Sequence, residues 1–251
     1  MSGDGLLRTE GLTCDFGGLR AVDSMTLSVE PRTVHALIGP NAAGKTTLFN
    51  LISGEIPPTA GRVYFDGRDV TGLPSHRIPH VGIARCFQRN NLFPKLTVRE
   101  NVWLAAFARS RPGALRFLRR VTEFPRLAAE ADAIIAEVGL EAKRGDRAET
   151  LSHGQQRALE VAVALAGRPA LLLLDEPTQG LAPEATRRMT ELLQRLAGRY
   201  TILLIEHKMH VVMSISDRIS VMHFGQLIAE GTPDEIRRSE LVQKAYLGAR
   251  R

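Results

Sequence analysis

The sequence predicts an α/β protein with a mostly parallel sheet and a helical segment inserted in it. Three observations carry this. Short apolar runs, Leu171–Leu174, Thr201–Ile205 and Ile219–His223, alternate with helix-period segments over Glu184–Leu196 and Lys208–Ile215. Parallel strands joined by crossover helices produce that pattern. A glycine-rich run, residues 39–46, follows a strand candidate and opens a helix candidate. A central stretch, approximately residues 88–151, loses the strand pattern and reads as helical.

Taken in order, Met25–Val29 alternates apolar with polar residues and Thr33–Ile38 ends at a glycine, so both are strand candidates. Gly44–Ile52 is predicted as a helix, and Arg62–Phe65 as a short strand closed by the turn Asp66-Gly67. Thr97-Val98-Arg99-Glu100 fits a capping box, in which two side chains bond the free N–H groups of a helix start. That helix is predicted through about Ala106, and another over Arg126–Val138. No internal repeat, low-complexity tract or long linker interrupts the chain. Its 251 residues suit a single domain, 1–251, with an embedded helical subdomain.

Hydrophobic residues make up 44% of the chain and charged ones 24%, enough apolar material for a substantial core. Aromatics are only 5%, so aliphatic packing must dominate. The longest apolar stretch, Val161–Leu174, is broken by Arg168 and Pro169 and falls short of the ~20 residues that span a bilayer. Met1–Leu7 lacks a basic-then-apolar signal pattern, and a cytoplasmic location is expected. Cys14 and Cys86 form neither a disulfide framework nor a metal-binding set. The net charge of +6 suits an anionic membrane surface or nucleic acid. The basic segment Arg109–Arg126 contains only Phe117 and Phe124 as aromatics. It reads as a solvated face near lipid headgroups, and nucleic acid is not expected as a partner.

The run Gly39, Pro40, Asn41, Ala42, Ala43, Gly44, Lys45, Thr46 matches G-x-x-x-x-G-K-[ST] at every fixed position. Glycines let backbone N–H groups curl around phosphate oxygens, and the helix N-terminus behind them adds a positive dipole end. Lys45 places a cation at the β and γ phosphates of ATP, Thr46 offers a hydroxyl to Mg²⁺, and Thr47 completes the nucleotide-binding set. A second motif, Leu171-Leu172-Leu173-Leu174-Asp175-Glu176, is an apolar strand ending in two acids. Ligands of parallel sheets sit at the C-terminal ends of strands. Asp175 is thereby placed to hold Mg²⁺, and Glu176 to accept a proton from an attacking water.

Leu151-Ser152-His153-Gly154-Gln155-Gln156-Arg157 resembles the signature sequence of ABC transporter ATPases, usually L-S-G-G-Q, and departs from it at His153. That form, with Gln-Gln-Arg following, looks like the ATPases of branched-chain amino acid importers. Ser152-x-x-Gln155 is also a capping box, so the segment is predicted to open a helix and serve as an anion site at once. The resemblance implies that Ser152, Gly154 and Gln155 meet the γ-phosphate held by a partner subunit. It implies roles for Gln88 at the metal-water shell, for His207 as a switch histidine on the γ-phosphate, and for Phe16 as a ring stacked on adenine. Thr178–Pro183 occupies the family's D-loop position, where Gly180-Leu181-Ala182-Pro183 departs from the common S-A-L-D form but fits the importer branch. Ala245-Tyr246-Leu247-Gly248 looks like the terminal extension of the importer branch.

What the resemblance implies is an ABC ATPase core with a mostly parallel sheet, an antiparallel β subdomain and an inserted helical subdomain. It further implies transmembrane permease subunits, a second ATPase subunit that is identical or different, and, indirectly, an extracytoplasmic solute-binding protein. The expected location is the cytoplasmic face of the membrane. Urea or amide importers and lipopolysaccharide-type exporters remain as alternatives. A soluble ABC protein acting on DNA or ribosomes is disfavoured, because the chain has one set of motifs and no heptad insertion. Ala42 stands where the family's usual form, G-P-N-G-A-G-K, has glycine, and it predicts a residue forced toward positive φ.

Overall fold

The computed structural model describes residues 5–86, 92–110 and 124–248. Its centre is a six-stranded sheet in the order β10-β9-β3-β8-β7-β6. The strands are β3 (Val34–Ile38), β6 (Ile83–Cys86), β7 (Leu171–Asp175), β8 (Thr201–Ile205), β9 (Arg218–His223) and β10 (Gln226–Gly231). All neighbours pair in parallel except β10, which returns antiparallel to β9 through a tight turn.

The apolar runs have a direct cause. Successive side chains of a strand point to opposite faces. Leu172, Leu174, Ile202 and Leu204 pack into one hydrophobic cluster, while Leu171, Leu173, Leu203 and Ile205 pack into another on the opposite side. Both faces are covered, so the strands have no polar face to show. Each fully buried leucine or isoleucine contributes roughly 1.5–3 kcal/mol.

On one side lie α1 (Lys45–Ile52) and a second sheet, antiparallel, in the order β2-β1-β4-β5. Its main strands are β1 (Leu7–Phe16), β2 (Leu19–Val29) and β4 (Ala60–Phe65), with the two-residue β5 (Arg68–Asp69) at the edge. On the other side lie α3 (Val98–Arg109), α4 (Pro125–Glu137), α5 (His153–Ala166) and α6 (Pro183–Leu196). The short α2 (Ile78–Val81) precedes β6, while α7 (Met209–Ile215), α8 (Pro233–Arg238) and α9 (Glu240–Gly248) complete the chain.

The described part of the central stretch is helical. Thr97 caps α3 through the expected box, its Oγ1 accepting from Glu100 N while the Glu100 carboxylate accepts from Thr97 N. α3 packs on α4 and α5 around a ring cluster in which Trp103 stacks on Phe107 at 4.8 Å and Phe107 meets Phe124 edge-on at 5.2 Å. Arg109 holds Glu130 across this bundle at 2.7 Å. Most of the basic segment 109–126 lies outside the described residues.

Periodicity misses β1. Register shifts between Thr9 and Leu12, Leu12 and Cys14, and Cys14 and Asp15 break its alternation, so the strand carries no period-2 signature. No helix among the described residues is long and apolar enough to cross a membrane.

Candidate active site

The phosphate loop leaves β3 at Gly39 and enters α1 at Lys45. Two of its glycines have no alternative. A Cβ on Gly39 would lie 2.1 Å from Met222 O, and one on Gly44 would lie 2.2 Å from Ala21 O. Gly44 also adopts φ 98°, so it caps α1 in a left-handed conformation. Ala42 sits at φ 61°, the positive angle that its family position predicts, so the loop keeps its shape around a strained alanine. The turn between β9 and β10 braces the loop from outside: Gly225 N donates to Ala43 O at 3.0 Å.

Lys45 is buried, and its Nζ donates to Gly39 O and Pro40 O, both at 2.8 Å. Burial lowers its pKa below the usual lysine value, against the opposing pull of Glu176 and Asp175. Asn41, Ala42, Ala43, Thr46 and Thr47 line a cleft of about 580 Å³ together with Lys45, Glu176 and His207. Phe16, half exposed at the end of β1, stands in the wall of the same cleft.

Asp175 closes β7 with its carboxyl buried. Arg85, on the neighbouring β6, holds Asp175 Oδ2 at 3.2 Å and also donates to Asn50 Oδ1 and Ser53 Oγ. Burial raises the Asp175 pKa, and the Arg85 guanidinium opposes that rise. Glu176 follows at φ 52°, a left-handed angle costing on the order of 1 kcal/mol that aims its side chain out of the strand direction. Its Oε1 lies 2.6 Å from His207 Nε2. Asp175 Oδ1 and Glu176 Oε2 are buried oxygens without a hydrogen-bond partner among the described residues. Buried oxygens of this kind normally find partners. These two carboxylate oxygens, with the exposed hydroxyl of Thr46 in the same cleft as Glu176, fit a hydrated Mg²⁺ and a reacting water.

Gln88 lies outside the described residues. Ser152 caps α5 in the predicted box, with Gln155 N donating to its Oγ at 3.4 Å and Ser152 N donating to Gln155 Oε1 at 3.0 Å. Ser152, Gly154 and Gln155 line a separate cleft of about 340 Å³, not the one holding Lys45. His153 lies against Gly180, where a Cβ would come within 3.4 Å of His153 Cε1.

Several residues of this region escape sequence motifs. Glu206 is buried beneath the site and accepts four hydrogen bonds, from Thr178 N and Oγ1 and from His207 N and Lys208 N. Lys208 Nζ donates to Thr178 O and Thr186 Oγ1. Phe224 is largely exposed at the rim of the cleft. An acid directly before His207 was the available signal for Glu206; Arg85 gave none.

A family model described as ABC transporter matches residues 22–179, and one described as branched-chain amino acid ATP-binding cassette transporter matches residues 226–251. The high-affinity branched-chain amino acid transport ATP-binding protein BraF of Pseudomonas aeruginosa is 43% identical over 249 residues, covering 97% of this chain and 98% of that protein. Its counterpart LivG of Escherichia coli K12 is 40% identical over the same length, with 97% and 98% covered. Among solved structures, a nucleotide-free ATP-binding cassette from an ABC transporter superposes with TM-score 0.84 at 30% identity, across 96% of this chain and 98% of that one. An ADP-bound cassette superposes with TM-score 0.85 at 31% identity, across 97% and 98%. The family match spans more than half the chain and the relatives span nearly all of it, so the chain belongs to the ABC transporter family, as an ATP-binding cassette ATPase of the branched-chain amino acid branch.

Proposed function

We propose that the chain binds and hydrolyses MgATP as one half of a cassette dimer, and that closure of the dimer drives import of branched-chain or other hydrophobic amino acids through permease subunits. The carrying observation is Glu176, fixed by His207 at one oxygen and without a partner among the described residues at the other, in the cleft of the phosphate loop. Oε2 is the oxygen left to accept the proton of the attacking water. Lys45 exchanges its two loop carbonyls for the β and γ phosphates. Mg²⁺, when bound, supplies positive charge to the phosphate oxygens; Asp175, Thr46 and Gln88 would hold it. His207, attached to Glu176, is placed to contact the γ-phosphate, and Phe16 to stack on adenine.

Ser152, Gly154 and Gln155 lie in a different cleft from Lys45 of the same chain. That separation supports a site completed by a second ATPase subunit, identical or different. The helical stretch of approximately 88–151 serves as the subdomain that carries the signature toward the partner. The remaining partners are transmembrane permeases and, across the membrane, a solute-binding protein, which places the chain at the cytoplasmic face. The importer names of the relatives support the choice of solute.

The test is Lys45→Ala in the assembled transporter, with MgATP binding by calorimetry and ATPase rate read together. Both are expected to vanish, and wild-type turnover in the variant would overturn the reading. Stimulation by a binding protein loaded with leucine, and none by one loaded with urea, checks the solute.

A further inference from the structure

Three consecutive side chains at the exit of β8 grip one loop at the exit of β7. His207 takes Glu176, Lys208 takes the carbonyl of Thr178, and Glu206 takes the N–H and hydroxyl of Thr178. The Glu206 carboxylate divides its work by oxygen. Oε2 accepts from Thr178 Oγ1 at 2.6 Å and from Thr178 N at 3.3 Å. Oε1 accepts from His207 N at 2.8 Å and from Lys208 N at 3.0 Å. Glu206 and Thr178 are both buried, at 2% and 0% exposure. A carboxylate is the one small side chain that accepts at both ends at once. Backbone bonding alone leaves this gap open: Glu176 N reaches Ile205 O, and the sheet ladder stops there.

We infer that Glu206 is a positioning residue for hydrolysis: it ties the loop carrying Glu176 to the loop carrying His207 and so sets the distance between the proton acceptor and its partner histidine. Glu206 is buried and does not line the cleft that holds Lys45. It acts through Thr178 on one side and the His207 backbone on the other. The same carboxylate anchors the beginning of the loop 178–183, so movement of that loop is passed to the Glu176–His207 pair. A shift of an ångström at such a pair costs on the order of 10²-fold in rate. The inference rests on the proposed ATPase reading.

Glu206→Gln tests it, because an amide offers one acceptor oxygen: either Thr178 N or the pair His207 N and Lys208 N then faces an NH2 group and loses its acceptor. Thr178→Val removes the hydroxyl while keeping the shape. In the assembled transporter each is expected to lower kcat, Glu206→Gln by ~10- to 100-fold. KM for ATP should stay within about threefold, since the phosphate loop is untouched. The double variant should lose little more than Glu206→Gln alone, because the Thr178 hydroxyl acts through the Glu206 carboxylate. An unchanged kcat, losses that multiply, or a loss matched by melting of the fold overturns the inference. A second arm needs no turnover: the imidazole resonances of the nucleotide-free chain. Glu206→Gln should move or broaden the His207 signal and leave that of His35 in place, and an unmoved His207 signal also overturns the inference. A wild type that neither binds nor hydrolyses ATP sinks the ATPase reading instead, and the resonance arm then decides the positioning role by itself.

Discussion

His207 Nε2 and Glu176 Oε1 lie 2.6 Å apart, and the pair joins the ends of two adjacent strands, β8 and β7. Glu176→Gln is therefore expected to bind ATP and keep its contact with His207 while losing the proton acceptor. Loss of a general base costs ~10²–10⁴-fold in rate. The ATP-bound variant should accumulate as a closed dimer, visible by size-exclusion chromatography with MgATP, together with its natural partner ATPase where that differs. A variant that stays monomeric and turns over normally contradicts the assignment.

Ala42→Gly is expected to change little. Relief of the positive φ at Ala42 favours the folded state by roughly 1–2 kcal/mol, and the added freedom of glycine in the unfolded chain takes back ~0.5–1 kcal/mol. MgATP affinity by calorimetry should remain within about tenfold, as the backbone already holds the required angle. A larger gain in affinity would mean that alanine mis-sets the loop.

Ser152→Ala separates a cap from a trans contact. As the N-cap of α5, the hydroxyl is worth ~0.5–2 kcal/mol. Melting without nucleotide should show that modest loss. ATPase rate should fall further than the melting predicts if a second subunit's phosphate uses the same hydroxyl. A rate loss that tracks unfolding alone leaves Ser152 as a cap only.

His35 predicts an acid-labile core. It is buried in β3, with Nε2 2.8 Å from Ser220 Oγ, and burial pushes its pKa down to about 4 despite the nearby Glu230, with Arg218 adding to the fall. Below pH 6.5 the unfolded chain takes up a proton that the folded chain refuses. Stability from this group is therefore complete above that pH and is lost as pH falls toward 4. The loss between pH 7 and pH 5 is about 2 kcal/mol. Urea unfolding at both values should show this increment in the native chain and not in His35→Gln; an equal increment in both would assign the acid sensitivity elsewhere.

What the sequence discloses depends on how local the physics is. The phosphate loop is contiguous, and the capping boxes at Thr97 and Ser152 span four residues each, so pattern alone reaches them. The apolar strands β7 and β8 are legible because burial on both faces leaves no polar position. Glu206 meets Thr178 across 28 residues of chain, and Arg85 meets Asp175 across 90, so nothing nearby in the sequence signals either contact. The bulges of β1 conceal a long strand for the opposite reason: local irregularity erases a period that the fold still uses.

The bonds from Lys45 to Gly39 O and Pro40 O bear on how readily the site exchanges its ligand. A departing nucleotide leaves behind an ammonium that already has a resting place, so release is not opposed by stranding a bare cation in a buried pocket. An arriving nucleotide must displace those same two carbonyls, which tempers its grip. Under the proposed function, these two bonds favour repeated loading and emptying of the site over retention of its ligand.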